Sequence, residues 1–196
     1  MGRASRADAA EHRDEIVAAT SRLLRERGAG AVSVNDAMSA AGLTHGGFYK
    51  HFASKDELMG LAAAAAFDQR IAGMQRILEE HPERDDATTQ MLDRYLSVDH
   101  RDTPGTGCGN TAIAADSARA PGDSPLHAAY TAGLRATVEE LADYQPEELD
   151  ERERRDRAIL QLATMVGALT LARGTAGDPI SEEILSVTRE ALRGRR

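Results

Sequence analysis

Between Ser33 and Glu57 the chain starts a helix three times. In "SVNDAMSAAGL" a serine N-cap is followed three residues later by Asp36, the spacing of a capping box. Val34, Ala37 and Met38 fall on one helical face and Gly42 supplies the stop. Thr44 then precedes "HGGFYKHF", and "SKDE" at 54–57 repeats the box with Ser54 and Glu57 ahead of a long helical run to about Ile77. Starts this close together allow only short helices joined by tight turns. A longer amphipathic stretch over 11–27, with Ile16, Thr20, Leu23, Leu24 and Arg27 at helical spacing and Gly28 and Gly30 behind it, stands before them. One longer helix followed by two short ones around a glycine turn describes a helix-turn-helix unit, which places its second short helix in the major groove of DNA.

The distribution of charge agrees with that placement. The net charge is −8, yet residues 1–70 hold 9 Lys+Arg and 9 Asp+Glu, which leaves 15 against 23 for residues 71–196. No acid occurs from Ala37 to Ala53, while His45, Lys50 and His51 lie within that window and Lys55 just beyond it. The helices at Ser33 and Ser54 carry an acid three residues after the cap; at Thr44 that position is Gly47, and a carboxylate there would face phosphates.

These residues carry a resemblance. "SVNDAMSAAGLTHGGFYKHFASKDELM", residues 33–59, resembles the N-terminal DNA-binding domain of TetR/AcrR-family transcriptional regulators, with Tyr49, His51, Phe52 and Lys55 matching the family pattern. Gly47 stands where the family often has Thr, and Phe48 where Leu is usual. The resemblance implies an all-α chain: a flexible arm over 1–10, a helix-turn-helix domain over 11–58, and a ligand-binding and dimerisation domain over 59–196, about nine helices in all, with the helix opening at Ser54 linking the two domains. It also implies a cytoplasmic, homodimeric repressor that binds a palindromic double-stranded operator and is released by a small-molecule effector. The expected DNA contacts are Ser33, Thr44, His45, Gly46, Gly47, Tyr49, Lys50, His51 and Lys55. The hydroxyls and helix starts would meet phosphates, and His45, Gly46 and Gly47 would lie against base edges. Phe48 and Phe52, four apart, are expected to share a buried face.

Beyond residue 70 the sequence is less specific. Expected helices span about 87–98, 110–119 and 124–143, separated by "HPERDD", the breaker-rich "DHRDTPGTGCGN" and "APGDSP". Met74, Met91, Tyr95, Cys108, Tyr130, Leu134 and Met165 are adaptable or aromatic residues on elements expected to surround an effector pocket. "AILQLATMVGALTLA", 158–172, is apolar nearly all round and therefore needs cover on two sides. Ile159, Ala163, Val166 and Gly167, with Ile184, Leu185, Thr188 and Leu192 on the last helix, are the expected dimer interface.

Several function classes are excluded or disfavoured. The N-terminus has no apolar signal-peptide region, and no uncharged apolar run approaches the roughly 18 residues of a membrane span, so no membrane association is expected. One cysteine excludes an intrachain disulfide, and His45 and His51 lack the partners of a metal site, so no metal or cofactor is expected. No enzyme is expected. "HRD" at 100–102 continues as "TPGT" rather than as a kinase loop, and a Cys108–His100 pair would have to be assembled in space. Cys108 itself admits two readings: a thiol activated at a helix start, as in a branch of the family that senses electrophiles, or a small buried residue that fixes its loop.

Overall fold

The computed structural model describes residues 6–194, and they are helical with no strand among them. The α-helices are α1 (Arg6–Arg27), α2 (Val34–Ala40), α3 (Lys55–Glu80), α4 (Arg84–Tyr95), α5 (Val98–Asp102), α6 (Gly109–Arg119), α7 (Pro125–Ala142), α8 (Glu151–Gly174) and α9 (Pro179–Arg193), with 3-10 turns at Ala29–Ala31, His45–Lys50 and Pro104–Thr106. The helix expected from position 11 begins at Arg6, so residues 6–10 are helical rather than an arm. "RADAA" is rich in helix formers and places Asp8 in the first turn, where its charge favours the positive end of the helix dipole. Residues 1–5 of that expected arm lie outside the described residues. A helix also forms inside the stretch expected to be irregular: Ser97 accepts from the His100 amide and caps α5.

Two stops depend on glycine. Gly28 (φ 78°) ends α1 and Gly42 (φ 70°) follows α2, both in the left-handed region that other residues adopt at a cost. At Gly28 the turn is also held from elsewhere, because the Ala29 amide donates to the Asp116 carboxylate of α6 at 2.7 Å.

The apolar residues form two clusters. The first joins Ile16, Leu23 and Leu24 of α1, Met38 of α2, Phe48, Phe52 and the first half of α3 through Phe67, and it takes in Ile113 of α6 and Leu126 of α7. The second gathers α4, the second half of α3 and the facing sides of α7, α8 and α9. Packing therefore crosses the expected boundary at 58/59. Each phenylalanine buried in the first cluster contributes about 1.5–3 kcal/mol by leaving water. α3 packs most extensively on α7. Gly60 and Gly133 allow that approach, since a Cβ at Gly60 would lie 2.7 Å from the Pro125 Cβ and one at Gly133 would run into the Phe67 ring. No helix among the described residues is long and apolar enough to cross a membrane.

Candidate DNA-binding interface

The segment after α2 is a six-residue 3-10 helix rather than an α-helix. Its first bond runs from the Gly47 amide to the Thr44 carbonyl at 3.1 Å. That is the N–H an N-cap hydroxyl would have accepted, so the expected Thr44 side-chain cap does not form. Two glycines lower the helical preference further, and what holds the turn is tertiary. Phe48 and Phe52 are buried with ring centroids 5.5 Å apart. Opposite them, Thr44, His45, Gly46, Tyr49 and Lys50 are exposed and Gly47 and His51 half-buried. Tyr49 is 77% exposed, its ring meeting the edge of Phe48 at 5.2 Å between centroids. The face turned to solvent thus carries a hydroxyl, a phenol, two imidazoles and an ammonium, and no acid.

Two expected contacts have partners inside the chain. The Ser33 hydroxyl accepts from the Asp36 amide, and the Ser33 amide donates to the Asp36 carboxylate at 2.8 Å, completing the expected capping box; the hydroxyl also donates to that carboxylate. Those hydrogen bonds hold the Asp36 carboxyl below its usual range. The Lys55 ammonium donates to the Ala29 carbonyl at 3.3 Å, tying the start of α3 to the loop after α1. At Ser54 the expected capping box is displaced by one residue: Ser54 accepts from the Glu57 amide, while the Glu57 carboxylate reaches the Ala53 amide at 2.7 Å instead of that of Ser54. The Glu57 carboxylate also receives Arg13, a residue of α1 for which no spacing rule gave a signal. The Arg13 guanidinium donates to Glu57 at 3.0 Å and to the His51 carbonyl at 3.3 Å and lies 5.0 Å above the Phe52 ring. Neither Gly46 nor Gly47 has a positive φ. A Cβ at Gly46 would meet nothing within 4 Å and one at Gly47 only the Met38 Cε at 3.6 Å, so the chain itself does not require either glycine.

Of the expected pocket residues, Met74, Met91, Tyr95, Cys108, Leu134 and Met165 come together in the second cluster, whereas Tyr130 packs in the first, edge-on to Phe67. All but Leu134 and Tyr130 are fully enclosed. A cleft of about 310 Å³ opens instead between α4, the end of α7, α8 and α9, lined by Thr88, Leu92, Tyr144, Gln161 and Leu192. Cys108 is a free thiol, 2% exposed, at the cap position of α6. It is the Cys108 amide, not the thiol, that meets His100, donating to its Nε2 at 3.1 Å. The His100 Nδ1 lies 2.7 Å from the Tyr95 carbonyl. Burial, foremost, and the nearby Arg70 and Arg173 push the His100 pKa down to about 4. Asp102 of the "HRD" string is turned to its neighbour Arg101 at 2.7 Å.

On α8, Ile159, Ala163 and Gly167 are exposed along with Leu160 and Leu171, but Val166 packs against the second cluster. On α9 the expected face turns inward. Leu185 is 3% exposed, Ile184 and Leu192 pack on the same cluster, Thr188 is half-buried, and the exposed apolar residues are Ile180, Val187 and Ala191. The stripe chosen from sequence is the intramolecular one, because α9 needs it to cover its own domain.

Residues 16–66 match the family model described as bacterial regulatory proteins, tetR family. No curated protein sequence matches the chain. Among solved structures, a TetR transcriptional regulator from Legionella pneumophila has a TM-score of 0.76 at 19% identity, covering 98% of this chain and 97% of that one. One from Chloroflexus aurantiacus J-10-FL has a TM-score of 0.73 at 26% identity over 95% and 94% of the two chains. The transcriptional regulator FadR from Bacillus subtilis, in complex with stearoyl-CoA, has a TM-score of 0.64 at 17% identity over 92% and 97%. Residues 16–66 thus form a helix-turn-helix of the tetR family of bacterial regulatory proteins, and the chain as a whole shares the fold of solved TetR regulators.

Proposed function

We propose that this regulator is a homodimeric repressor that binds a palindromic operator and is released by a small-molecule effector. The observation that carries the DNA reading is the acid-free, exposed face of the His45–Lys50 turn, backed by buried Phe48 and Phe52. Tyr49, Lys50 and His51 suit phosphates; Thr44 and His45 suit base edges; Gly46 and Gly47 let the backbone approach the groove. Ser33 and Lys55, engaged inside the chain, contribute through backbone amides and through long-range charge.

Dimerisation is supported by the uncovered apolar residues of α8 and α9, a surface of the kind that water-soluble monomers rarely leave open. An effector acts by favouring a form whose two recognition turns no longer match successive major grooves about 34 Å apart. α3 is suited to transmit the change, since one helix packs in both clusters. The FadR complex with stearoyl-CoA supports a ligand-bearing regulatory domain in this fold. A gel-shift titration on the DNA flanking the protein's own gene, at stated salt, with a parallel selection from random sites, tests the reading. Sequence-specific retardation is expected; binding that is equal on all sequences overturns it.

A further inference from the structure

Arg25 is a buried arginine that no acid contacts directly, Glu26 acting on it only at longer range. It is 6% exposed, and among the described residues it forms no ion pair. Its neighbour Glu26 reaches instead toward Arg22, 3.9 Å away. One terminal nitrogen of Arg25 donates to the Gln69 side-chain oxygen at 2.9 Å and the other to the Gly107 carbonyl at 3.4 Å, while Nε–H finds no acceptor. One helical turn earlier Ser21 is 3% exposed, and its hydroxyl also has no partner. Leaving such donors unpaired costs roughly 1–3 kcal/mol each. Both residues line one cleft of about 390 Å³, walled by α1, α3 and the Pro104–Thr106 turn.

Residues 18, 21, 22 and 25 share one face of α1, and Ala65 and Gln69 share one face of α3. The lining is therefore polar at Ser21, Arg22, Arg25, Gln69 and Thr106 and apolar at the methyl groups of Ala18, Ala19 and Ala65. We propose that this cleft binds a small carboxylate with an apolar body, its carboxyl drawn to the Arg25 guanidinium beside Ser21 and its body laid on the three alanines. A planar carboxylate matches the guanidinium fork, and a charge-assisted bond supplies the direct ion pair that Arg25 lacks among the described residues. The site bridges α1 and the turn preceding α6, so occupancy bears on the position of the DNA-binding unit; that consequence alone rests on the repressor reading.

Isothermal titration of the full chain with sodium benzoate and sodium octanoate, at ionic strength held constant with sodium chloride, tests the site. Benzamide and sodium sulfate serve as neutral and purely anionic controls. Saturable binding of at least one carboxylate is expected, with neither control binding comparably. Arg25→Gln should weaken binding by at least about tenfold. Ala65→Leu, which leaves Arg25 in place and crowds the apolar lining, should abolish binding even if the arginine variant fails to fold. Absence of saturable carboxylate binding, equal binding of benzamide or sulfate, or unchanged affinity in folded Ala65→Leu overturns the proposal. The titration contains no DNA, so its failure leaves the operator reading standing, and failure of the gel shift leaves this site standing.

Discussion

Arg13 and Glu57 are 44 positions apart in sequence and 3.0 Å apart in space. Both side chains are 37% exposed, so the ion pair alone is worth about 0–1 kcal/mol. The larger effect is positional. Glu57 holds the Ala53 amide and Arg13 holds the His51 carbonyl, so together they close the backbone that leaves the recognition turn. Arg13→Ala is expected to lower stability in urea unfolding by about 1–2 kcal/mol and to weaken operator binding. Arg13→Lys should recover only part of either, because an ammonium cannot hold two acceptors while lying flat on Phe52. Binding to DNA equal to wild type in Arg13→Ala would show that the turn keeps its shape without the brace.

Gly47 separates what the fold needs from what the groove needs. Its backbone is not left-handed and a methyl group there would make only an ordinary contact with Met38. Gly47→Ala should therefore unfold at the same urea concentration or slightly higher, by up to about 1 kcal/mol from reduced freedom of the unfolded chain. Operator affinity should fall if the turn lies against the groove floor. Measuring both in one variant decides the matter: unchanged affinity removes close approach as the reason for the glycine pair.

The helix-turn-helix was legible because its information is local. Caps, glycine stops and the Phe48–Phe52 spacing each occupy a few residues, and the Ser33 box, the buried pair and the exposed face all match what those residues specify. The type of the recognition turn was not legible, because it depends on whether Thr44 offers its hydroxyl or its carbonyl to Gly47. Arg13 was invisible for a different reason: its partners lie 38 and 44 positions away. In α9 the apolar residues form one broad stripe, and periodicity cannot say which edge of it meets α8 of the same chain. Only packing turned Leu185 inward and left Val187 outside.

His100 gives the stability of the chain a dependence on acid. The folded chain keeps the imidazole neutral with a pKa of about 4, chiefly because burial penalises its charge and also because protonation would bring that charge beside Arg70 and Arg173; the neutral Nε2 accepts from the Cys108 amide. An unfolded histidine titrates near 6.5, so between these values the unfolded state binds the extra proton. Stability from this group is complete above pH 6.5 and is lost as pH falls toward 4, by on the order of 3 kcal/mol across the window. Glu140, whose carboxyl is raised by burial, pulls the other way and is common to wild type and variant. Urea unfolding of wild type and His100→Gln at pH 7 and pH 5 should show the smaller acid loss in the variant; equal losses would assign the dependence to other groups.

The apolar residues left outside on α8 make oligomeric state a test of the chain's surface rather than of its core. Ile159, Ala163, Gly167 and Leu171 repeat every four residues, and Leu171 is 60% exposed, so a charge there costs the folded chain little. Two copies meeting along this face would bury each new carboxylate against its symmetry mate, a repulsion that acts twice at a two-fold interface. Ile159→Glu with Leu171→Glu should keep the helical circular dichroism and melting behaviour of a folded protein, yet shift light-scattering mass from dimer to single chain and remove cooperative binding to a palindromic site. Leu185→Glu is the matching control, since it places the charge in the second cluster and should unfold the domain instead. A surface variant that remains dimeric would move the interface off the α8 face altogether.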